Sequence, residues 1–160
     1  MRTSIAAPRA AAATSKKTTG TQYAALPYRV VDGAVEILLI TSRRTRRWIV
    51  PKGWPIEGLS PSASAAREAL EEAGISGEIQ AEPIGFFHYF KLLRNDVNVP
   101  CKVDVFAMKV TRQRKNWLEK DARELRWFAL AEAAQTVQEP QLRKLIAKFG
   151  AQFKAAAPAH

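Results

Sequence analysis

Hydrophobic and polar residues alternate with the two-residue period of a β-strand over much of the chain, and follow a helical period in fewer segments. Patterns rich in β-branched and aromatic residues predict strands at QYAALPYRVV, VEILLITSR, RWIVP, EPIGFFHYFKL, VPCKVDVFAMKVT and ELRWFAL. The first two flank Asp32 and Gly33, a pair typical of a tight hairpin turn. AEAAQTV and QLRKLIAKFG have helical spacing. The sequence therefore predicts an α/β fold.

These patterns span residues 22–150, and we predict a domain over residues 23–150 of the 160 in the chain. That length suits one domain with a hydrophobic core, and we see no internal repeat. Residues 1–22 contain no acidic residue and few large apolar side chains, so we expect a basic, mobile tail. Residues 151–160 are expected to form a short C-terminal tail. The prediction is a single domain between two tails.

A further helix is predicted between Ser60 and Gly74. Ser60 suits the N-cap, Pro61 suits the first helical position, and Gly74 suits the left-handed position that ends a helix. Spacing of i, i+3, i+4 and i+7 predicts a packing stripe of Ala66, Ala69, Leu70 and Ala73. The caps and the stripe together predict one well-bounded amphipathic helix.

Three glutamates, Glu68, Glu71 and Glu72, share the same spacing on another face of this helix. Like charges at i and i+4 destabilise a helix by a few tenths of a kcal/mol, and we expect Arg67 to pair with Glu71 and offset part of this. One interpretation is a solvated acidic face. The other is a site for a hard cation such as Mg²⁺, which prefers oxygen ligands.

The charge of the chain indicates what it binds. There are 25 Lys and Arg residues against 15 Asp and Glu, a formal net charge of +10. This excess predicts an anionic partner: phosphates, nucleic acid or a membrane surface. The longest apolar run, about six residues, is far shorter than a membrane-spanning helix, and we expect no membrane insertion.

Cysteine usage and the N-terminal composition bear on the compartment. Cys101 is the only cysteine, so no internal disulfide can form. This fits a reducing compartment, and we expect the cytoplasm. The basic, acid-free segment at residues 1–22 leaves a mitochondrial transit peptide as the alternative.

The segment from Gly53 to Ile75 resembles the Nudix box, G-x5-E-x7-R-E-U-x-E-E-x-G-U, in which U is apolar. Six fixed positions match at the right spacing: Gly53, Arg67, Glu68, Glu71, Glu72 and Gly74. Leu59 stands where the box has its first glutamate, and Glu57, two residues earlier, is a candidate to substitute for it. We expect this departure to affect the bracing of the loop rather than the chemistry.

The resemblance implies an α/β/α sandwich with a mixed sheet, in which the box forms a loop, a helix and a second loop. It also implies hydrolysis of a pyrophosphate bond with Mg²⁺ or Mn²⁺, by attack of a metal-activated water at phosphorus. Carried over to this chain, the metal ligands would be Glu68, Glu71, Glu72 and the carbonyl of Gly53. Arg67 would orient one of these glutamates.

The general base is left open by the resemblance. Glu71 is one candidate, and an acidic residue outside the box is the other. The segment NWLEKDARELRWF offers Glu119, Asp121 and Glu124, of which we favour Glu119. Each of these three acids has a solvated or structural role as its alternative.

Basic residues precede the box at Arg43, Arg44, Arg46, Arg47 and Lys52. Guanidinium groups bind phosphate oxygens in a bidentate manner, so we predict that these residues bind a polyphosphate. The alternative is a solubilising hairpin tip. Trp54, at the loop tip, is the tryptophan expected to touch a ligand, and Phe87 or Tyr89 could stack on a base.

The region from Ala24 to Phe149 is similar to the diphosphoinositol polyphosphate and diadenosine polyphosphate hydrolase branch of the family. PKGW departs from the three-glycine stretch common in animal members, which favours dinucleoside over inositol substrates. The leading hypothesis is a pyrophosphohydrolase of phosphate-rich small molecules of either kind. The alternatives are an RNA 5′-pyrophosphate hydrolase and a non-catalytic domain that binds nucleotide or RNA. The oligomeric state is left open.

Overall fold

The structure, a computed structural model, describes residues 20–93 and 95–156. The described residues form eight strands, three helices and one 3₁₀ turn at Lys120–Ala122. The strands are β1 Gly20–Val31, β2 Ala34–Thr41, β3 Trp48–Ile49, β4 Lys52–Gly53, β5 Ile75–Ile79, β6 Gly85–Leu92, β7 Asn98–Gln113 and β8 Leu125–Ala129. The helices are α1 Pro61–Ala73, α2 Leu130–Thr136 and α3 Pro140–Ala156.

One mixed sheet contains all eight strands. Its central path runs β3, β2, β1, β7, β5, while β4 pairs with β1, β6 with β7 and β8 with β2. The pairing of β1 with β7 is parallel, and the remaining pairs are antiparallel. Helix α1 packs on β1 and β5, whereas α2 and α3 pack on each other and on β2, β8 and β6. The predicted α/β sandwich with a mixed sheet is confirmed.

The first hairpin forms where the sequence predicts it. Asp32 and Gly33 both have positive φ, 51° and 81°, and Val31 pairs with Ala34 across the two-residue turn. Left-handed backbone at both positions matches the twist of the flanking strands. The remaining predicted strands and the two C-terminal helices are also present.

Helix α1 has the predicted caps. The Ser60 hydroxyl accepts from the backbone N–H of Ala63 at 3.2 Å, and Gly74 ends the helix with φ of 68°. The buried face is turned relative to the predicted stripe, because the helix packs on β1 and β5 through its smallest side chains. The buried residues of α1 are Ser64, Ala65, Ala69, Glu72 and Ala73. One glutamate of the box therefore lies on the packing face.

The elements extend past the predicted tail boundaries at residues 22 and 150. Strand β1 begins at Gly20, because Gly20 to Gln22 pair with Cys101 to Val103 of β7. Helix α3 continues to Ala156, and Phe153 packs on Tyr28 with ring centroids 5.7 Å apart. The mobile tail predicted for residues 1–22 lies outside the described residues up to residue 19, and the end of the predicted C-terminal tail, residues 157–160, lies outside them as well. No helix in the described part of the chain is long and apolar enough to cross a membrane.

Candidate active site

Strand β4 brings the first residue of the box to the helix that carries the rest. Lys52 and Gly53 pair with Ala24 and Tyr23 of β1, which fixes β4 beside α1. A Cβ atom at Gly53 would overlap the carboxylate of Glu68. Glycine at this position therefore allows Glu68 to lie directly against the backbone of β4.

Glu72 is the most enclosed carboxylate of the site, with 7% of its surface exposed. Its Oε1 accepts from the backbone N–H of Lys52 at 3.2 Å, and its Oε2 lies 3.5 Å from Nη2 of Arg123. Burial raises the pKa of Glu72 to about 8, although the nearby positive charge of Arg123 acts in the opposite direction. The packing face of α1 thus carries an acid that is costly to ionise without a cation.

Glu68 and Glu71 lie beside Glu72 in the cleft, and these three carboxylates are called the acidic wall below. Burial raises the pKa of Glu68, and the negative charges of Glu71 and Glu119 raise it further. The nearby Glu72 carboxyl group acts in the opposite direction and lowers the pKa of Glu68. Glu71 is half-buried and lines the same cleft.

The donor set of this wall fits a hard divalent cation. Among residues 20–93 and 95–156, no three His, Cys, Asp or Glu side chains are already arranged around an ion position. The wall nevertheless gathers three carboxylates, and the pKa values of Glu68 and Glu72 are raised, first by burial and then by neighbouring negative charge. A bound cation with oxygen ligands would make the ionised carboxylates less costly. The residues present therefore suit a divalent metal ion that prefers oxygen ligands.

Glu119 is brought to the box from a distant part of the sequence. Its backbone N–H donates to the carbonyl of Glu71 at 3.0 Å, and its Oε1 accepts from Nε of Arg123 at 2.9 Å. The other two acids of that segment lie elsewhere: Asp121 is exposed, and Glu124 binds Arg46. Of the three candidates, Glu119 is the one joined to α1.

Sequence reasoning missed Arg123, which bridges Glu119 and Glu72. Its i+4 spacing from Glu119 was a signal, but basic residues are so frequent in this chain that the spacing alone did not single it out. Arg67 behaves differently from the prediction, because it is exposed in the cleft and makes no ion pair with Glu71. The guanidinium that contacts the carboxylates of the site is that of Arg123.

The loop before α1 is braced by a residue that the sequence did not indicate. Ser64 is fully buried, and its hydroxyl accepts from the backbone N–H of Ile56 at 3.1 Å. Leu59 donates its own N–H to the carbonyl of Ile56 at 3.0 Å. Glu57 is exposed and has no ion-pair partner in the described part of the chain, so it does not replace the missing box glutamate.

An open cleft of about 1480 Å³ lies over the carboxylates. Two of the predicted arginines, Arg43 and Arg44, line it and are exposed at the tip of the β2–β3 connection. Lys91, on β6, lines the cleft as well. Positive and negative side chains therefore share one cavity, as a site for both a phosphate chain and a cation requires.

The other two arginines of the connection are engaged in structural contacts. Arg46 has φ of 57°, and its guanidinium donates to the carbonyl of Ala122 at 3.1 Å and to Glu124 at 3.2 Å. It is not among the residues that line the cleft. Arg47 lines the cleft but forms an ion pair with the buried Glu139. The prediction that Arg46 and Arg47 bind phosphate stays a prediction, and in this structure tertiary partners engage both guanidinium groups.

Lys52 and Trp54 lie on the same cavity. The Nζ of Lys52 sits 4.6 Å from the ring centroid of Tyr89, and burial lowers the pKa of this lysine to about 8. Trp54 lines the cleft with 37% of its surface exposed. Its ring packs on Gly20, where a Cβ atom would come within 2.6 Å. The cleft thus has an aromatic side chain at its rim.

Of the two aromatic residues on β6 that the sequence offered for stacking, only Tyr89 lines the cleft. Phe87 is fully buried in the core, whereas the Tyr89 hydroxyl donates to Oε1 of Gln22 at 2.7 Å. Phe90, which the sequence pattern did not single out, is 69% exposed and also lines the cleft. The alternation of a strand explains why Phe87 is buried and Phe90 is exposed, since residues three apart point to opposite faces.

Comparisons with known proteins agree with this geometry. The NUDIX domain profile matches residues 21–149. Nudix hydrolase 12, mitochondrial, of Arabidopsis thaliana is 28% identical over 118 residues, which are 72% of this chain and 58% of that protein. Diphosphoinositol polyphosphate phosphohydrolase 3-alpha of Mus musculus is 30% identical over 106 residues, 64% of this chain and 60% of that protein. The chain thus spans less than two thirds of either relative.

Solved structures share the fold. The binary complex of an Ap4A hydrolase from C. elegans superposes with a TM-score of 0.64 at 21% identity, covering 85% of this chain and 98% of that one. The NUDIX domain of Shewanella oneidensis NrtR, complexed with ADP ribose, gives a TM-score of 0.61 at 14% identity, over 81% of this chain and 87% of that one. Because the family profile covers most of the chain and the box residues meet in one cleft, the chain belongs to the NUDIX domain family.

Proposed function

We propose that this chain is a divalent-metal-dependent pyrophosphohydrolase of phosphate-rich small molecules, either dinucleoside polyphosphates or diphosphoinositol polyphosphates. One observation carries the proposal. The cleft that contains Glu68, Glu71 and Glu72 is also lined by the exposed cations Arg43 and Arg44. A pyrophosphate substrate needs both, because carboxylates hold the metal while arginines bind the phosphate oxygens.

Glu68, Glu71, Glu72 and the carbonyl of Gly53 would hold the metal, which we take to be Mg²⁺ or Mn²⁺. Bound there, the ion would lower the pKa of a coordinated water and offset the charge of the phosphate oxygens. The protein keeps these oxygen ligands close together at the end of a packed helix. The backbone N–H of Lys52 fixes Glu72 from the side of β4.

Glu119 is our candidate for the general base, since its carboxylate is held beside the box without being part of it. It would accept the proton of the attacking water. Arg67, which lines the cleft without an ion pair to Glu71, is assigned to phosphate binding rather than to orienting a glutamate. Arg43, Arg44 and Lys91 would bind the phosphates farther from the reacting bond.

The cavity favours an extended substrate. Its volume of about 1480 Å³ exceeds the roughly 300–1,000 Å³ of ordinary small-molecule sites. Trp54 and Phe90 add exposed aromatic surface to a cleft that is otherwise charged. Aromatic surface suits a nucleobase better than a fully phosphorylated ring. Of the two substrate classes, dinucleoside polyphosphates therefore fit better.

A phosphate-release screen tests the proposal. The purified chain would be incubated with Mg²⁺ or Mn²⁺ and with nucleotides, dinucleoside polyphosphates, inositol pyrophosphates and 5′-triphosphorylated RNA. Glu72→Gln serves as the matched inactive control. Hydrolysis of a polyphosphate by the wild type alone supports the proposal. Tight binding without any hydrolysis would instead identify a binding domain.

An RNA 5′-pyrophosphate hydrolase is the second candidate, favoured by the formal net charge of +10. Phosphate contacts along a long RNA release counterions, so its affinity would fall steeply with salt. A dinucleoside substrate with few phosphates would show a shallower salt dependence.

We also propose the cytoplasm as the compartment, and fractionation of cells that express the whole chain would distinguish this from mitochondrial import.

A further inference from the structure

Arg123 lies directly after the 3₁₀ turn, and its side chain is only 11% exposed. Each nitrogen of its guanidinium has its own acceptor. Nε donates to Glu119 Oε1 at 2.9 Å, Nη1 donates to the carbonyl of Thr41 at 3.1 Å, and Nη2 lies 3.5 Å from Glu72 Oε2. A planar guanidinium that is paired on all three nitrogens has one defined orientation.

The segment that carries Arg123 is fixed on two sides. The N–H of Glu119 donates to the carbonyl of Glu71 on α1 at 3.0 Å. On the other side, Glu124 and the buried Thr41 exchange two hydrogen bonds, of 2.9 and 3.1 Å. Arg123 therefore connects the rigid end of β2 to the carboxylates of α1. At such low exposure its charge would be costly without these partners.

We infer that Arg123 is a positioning residue that holds the Glu119 carboxylate beside Glu72, so that an acid outside the box takes part in the reaction. This inference rests on the proposed function. Arg123 acts through Glu119, because the Nε–H of Arg123 donates a charge-assisted hydrogen bond to the Glu119 carboxylate. Without that bond, Glu119 would sit near three other carboxylates and would turn away from them into the open cleft.

Arg123 also competes with any cation for Glu72. The contact of 3.5 Å is longer than the roughly 2.7–2.9 Å of a strong charge-assisted hydrogen bond. The Oε2 atom is therefore only weakly held by Arg123. Removing Arg123 frees Glu119 and also removes positive charge that opposes the ion. Turnover should then fall without a loss of metal affinity, which loss of structure would not produce.

A double-mutant cycle tests this inference. The variants are Arg123→Gln, Glu119→Gln and the two combined, with Arg123→Lys to keep the charge. Arg126→Gln is the matched control, since Arg126 forms an exposed ion pair with Glu132 away from the cleft. Three quantities are measured: kcat and KM on a substrate from the screen, and the Kd of Mn²⁺ from the electron paramagnetic resonance signal of the free ion.

Glu119→Gln should lower kcat about a hundredfold, the usual size of a general-base contribution. Arg123→Gln should lower kcat at least about tenfold, and the double variant should stay within about threefold of Glu119→Gln. KM should change less than kcat. Arg123→Lys should not restore kcat, because one ammonium group cannot hold Glu119 and Thr41 in the geometry of the fork. The Kd of Mn²⁺ should stay the same or decrease.

Three results would overturn the inference: full rescue by Arg123→Lys, additive losses in the double variant, or a Kd for Mn²⁺ that rises together with the loss of kcat. If the wild type hydrolyses no substrate, the proposed function fails and the catalytic role of Glu119 fails with it. In that case the contact between Arg123 and Glu119 is still tested by the effects of the same variants on the melting temperature. Additive effects of the two single substitutions on stability would show that the two side chains are not coupled.

Discussion

The Glu68 carboxylate lies directly against the backbone of Gly53, and the space between them cannot hold a Cβ atom. This contact joins β4 to α1 and places the main chain of Gly53 beside the acidic wall. The close approach results from the pairing of β4 with β1, which fixes the position of Gly53 before any ligand binds.

Gly53→Ala should therefore lower turnover at least about tenfold, because the new methyl group would displace the Glu68 carboxylate. Gly33→Ala is the matched control: its surroundings are open but its φ is 81°, so it should cost about 1–2 kcal/mol of stability and leave turnover unchanged. Steady-state kinetics and thermal unfolding of both variants would measure this. Equal losses of turnover would contradict the contact as a feature of the site.

Glu68→Gln and Glu72→Gln should each lower turnover by at least about a hundredfold, which corresponds to about 2.7 kcal/mol of activation free energy. Folding should survive in the metal-free protein, because burial and neighbouring negative charges disfavour the ionised form of both carboxylates. A neutral amide at either position avoids that cost. Kinetics and circular dichroism would test the pair of variants. Turnover within threefold of the wild type in both would refute the metal site.

The pH dependence of stability in the presence of a chelator should reflect Glu72. Burial raises the pKa of this carboxyl from 4.5 to about 8. Between these values the folded protein retains a proton that the unfolded chain has released, so the stabilisation present below about pH 4.5 is lost as the pH rises to about 8. The melting temperature should fall over this range in the wild type and fall less in Glu72→Gln.

Added Mn²⁺ should make the melting temperature of the wild type rise with pH instead of fall, since the ion binds the deprotonated carboxylates. The measurement is thermal unfolding at several pH values with chelator and with Mn²⁺. A wild-type slope that matches the Glu72→Gln slope under both conditions would show that Glu72 does not titrate as described.

Catalytic efficiency should rise with the number of phosphates in the substrate. Arg43 and Arg44 are exposed in the cleft, and a charge-assisted hydrogen bond contributes about 1.5–3 kcal/mol. Replacing both with alanine should penalise substrates with five or six phosphates more than those with two, and moderate salt should reduce the difference. The control is Arg46→Ala, which should affect all lengths equally because Arg46 binds Ala122 and Glu124 instead.

The brace of the box loop should depend on Ser64 rather than on position 59. Ser64→Ala removes the acceptor of the Ile56 N–H and should cost about 1 kcal/mol of stability. Leu59→Glu could pair with the exposed Arg67, adding about 0–1 kcal/mol and changing the rate only a few fold. Denaturant unfolding and kinetics would measure both. A large gain of activity in Leu59→Glu would mean that this chain is a weakened enzyme.

Some features of the protein are determined by short stretches of sequence. Ser60, Pro61 and Gly74 set the ends of α1 because caps act within one helical turn. Asp32 and Gly33 set the first hairpin for the same local reason. The spacing of the box also located the acidic wall, since glutamates three and four residues apart share a helix face in any packing.

Other features depend on residues far apart in the sequence, and the sequence pattern did not separate them. Four arginines lie in one short segment. Within residues 20–93 and 95–156, Arg43 and Arg44 line the cleft without an ion-pair partner, whereas Arg46 and Arg47 meet acids from the C-terminal half of the chain. Strand β5 is short and polar, and its pairing with β7 makes it a strand.

The sequence alone therefore determined the family resemblance, the bounds of the box helix and the acids that α1 presents. The tertiary structure decided which of those acids is buried and which outside residue reaches them. Arg123 meets Thr41 across 82 residues of sequence, and this contact exists only because β2 and β8 pair in the sheet. Local periodicity reports the conformation of a segment, whereas burial and charge pairing depend on the neighbours that the folded sheet supplies.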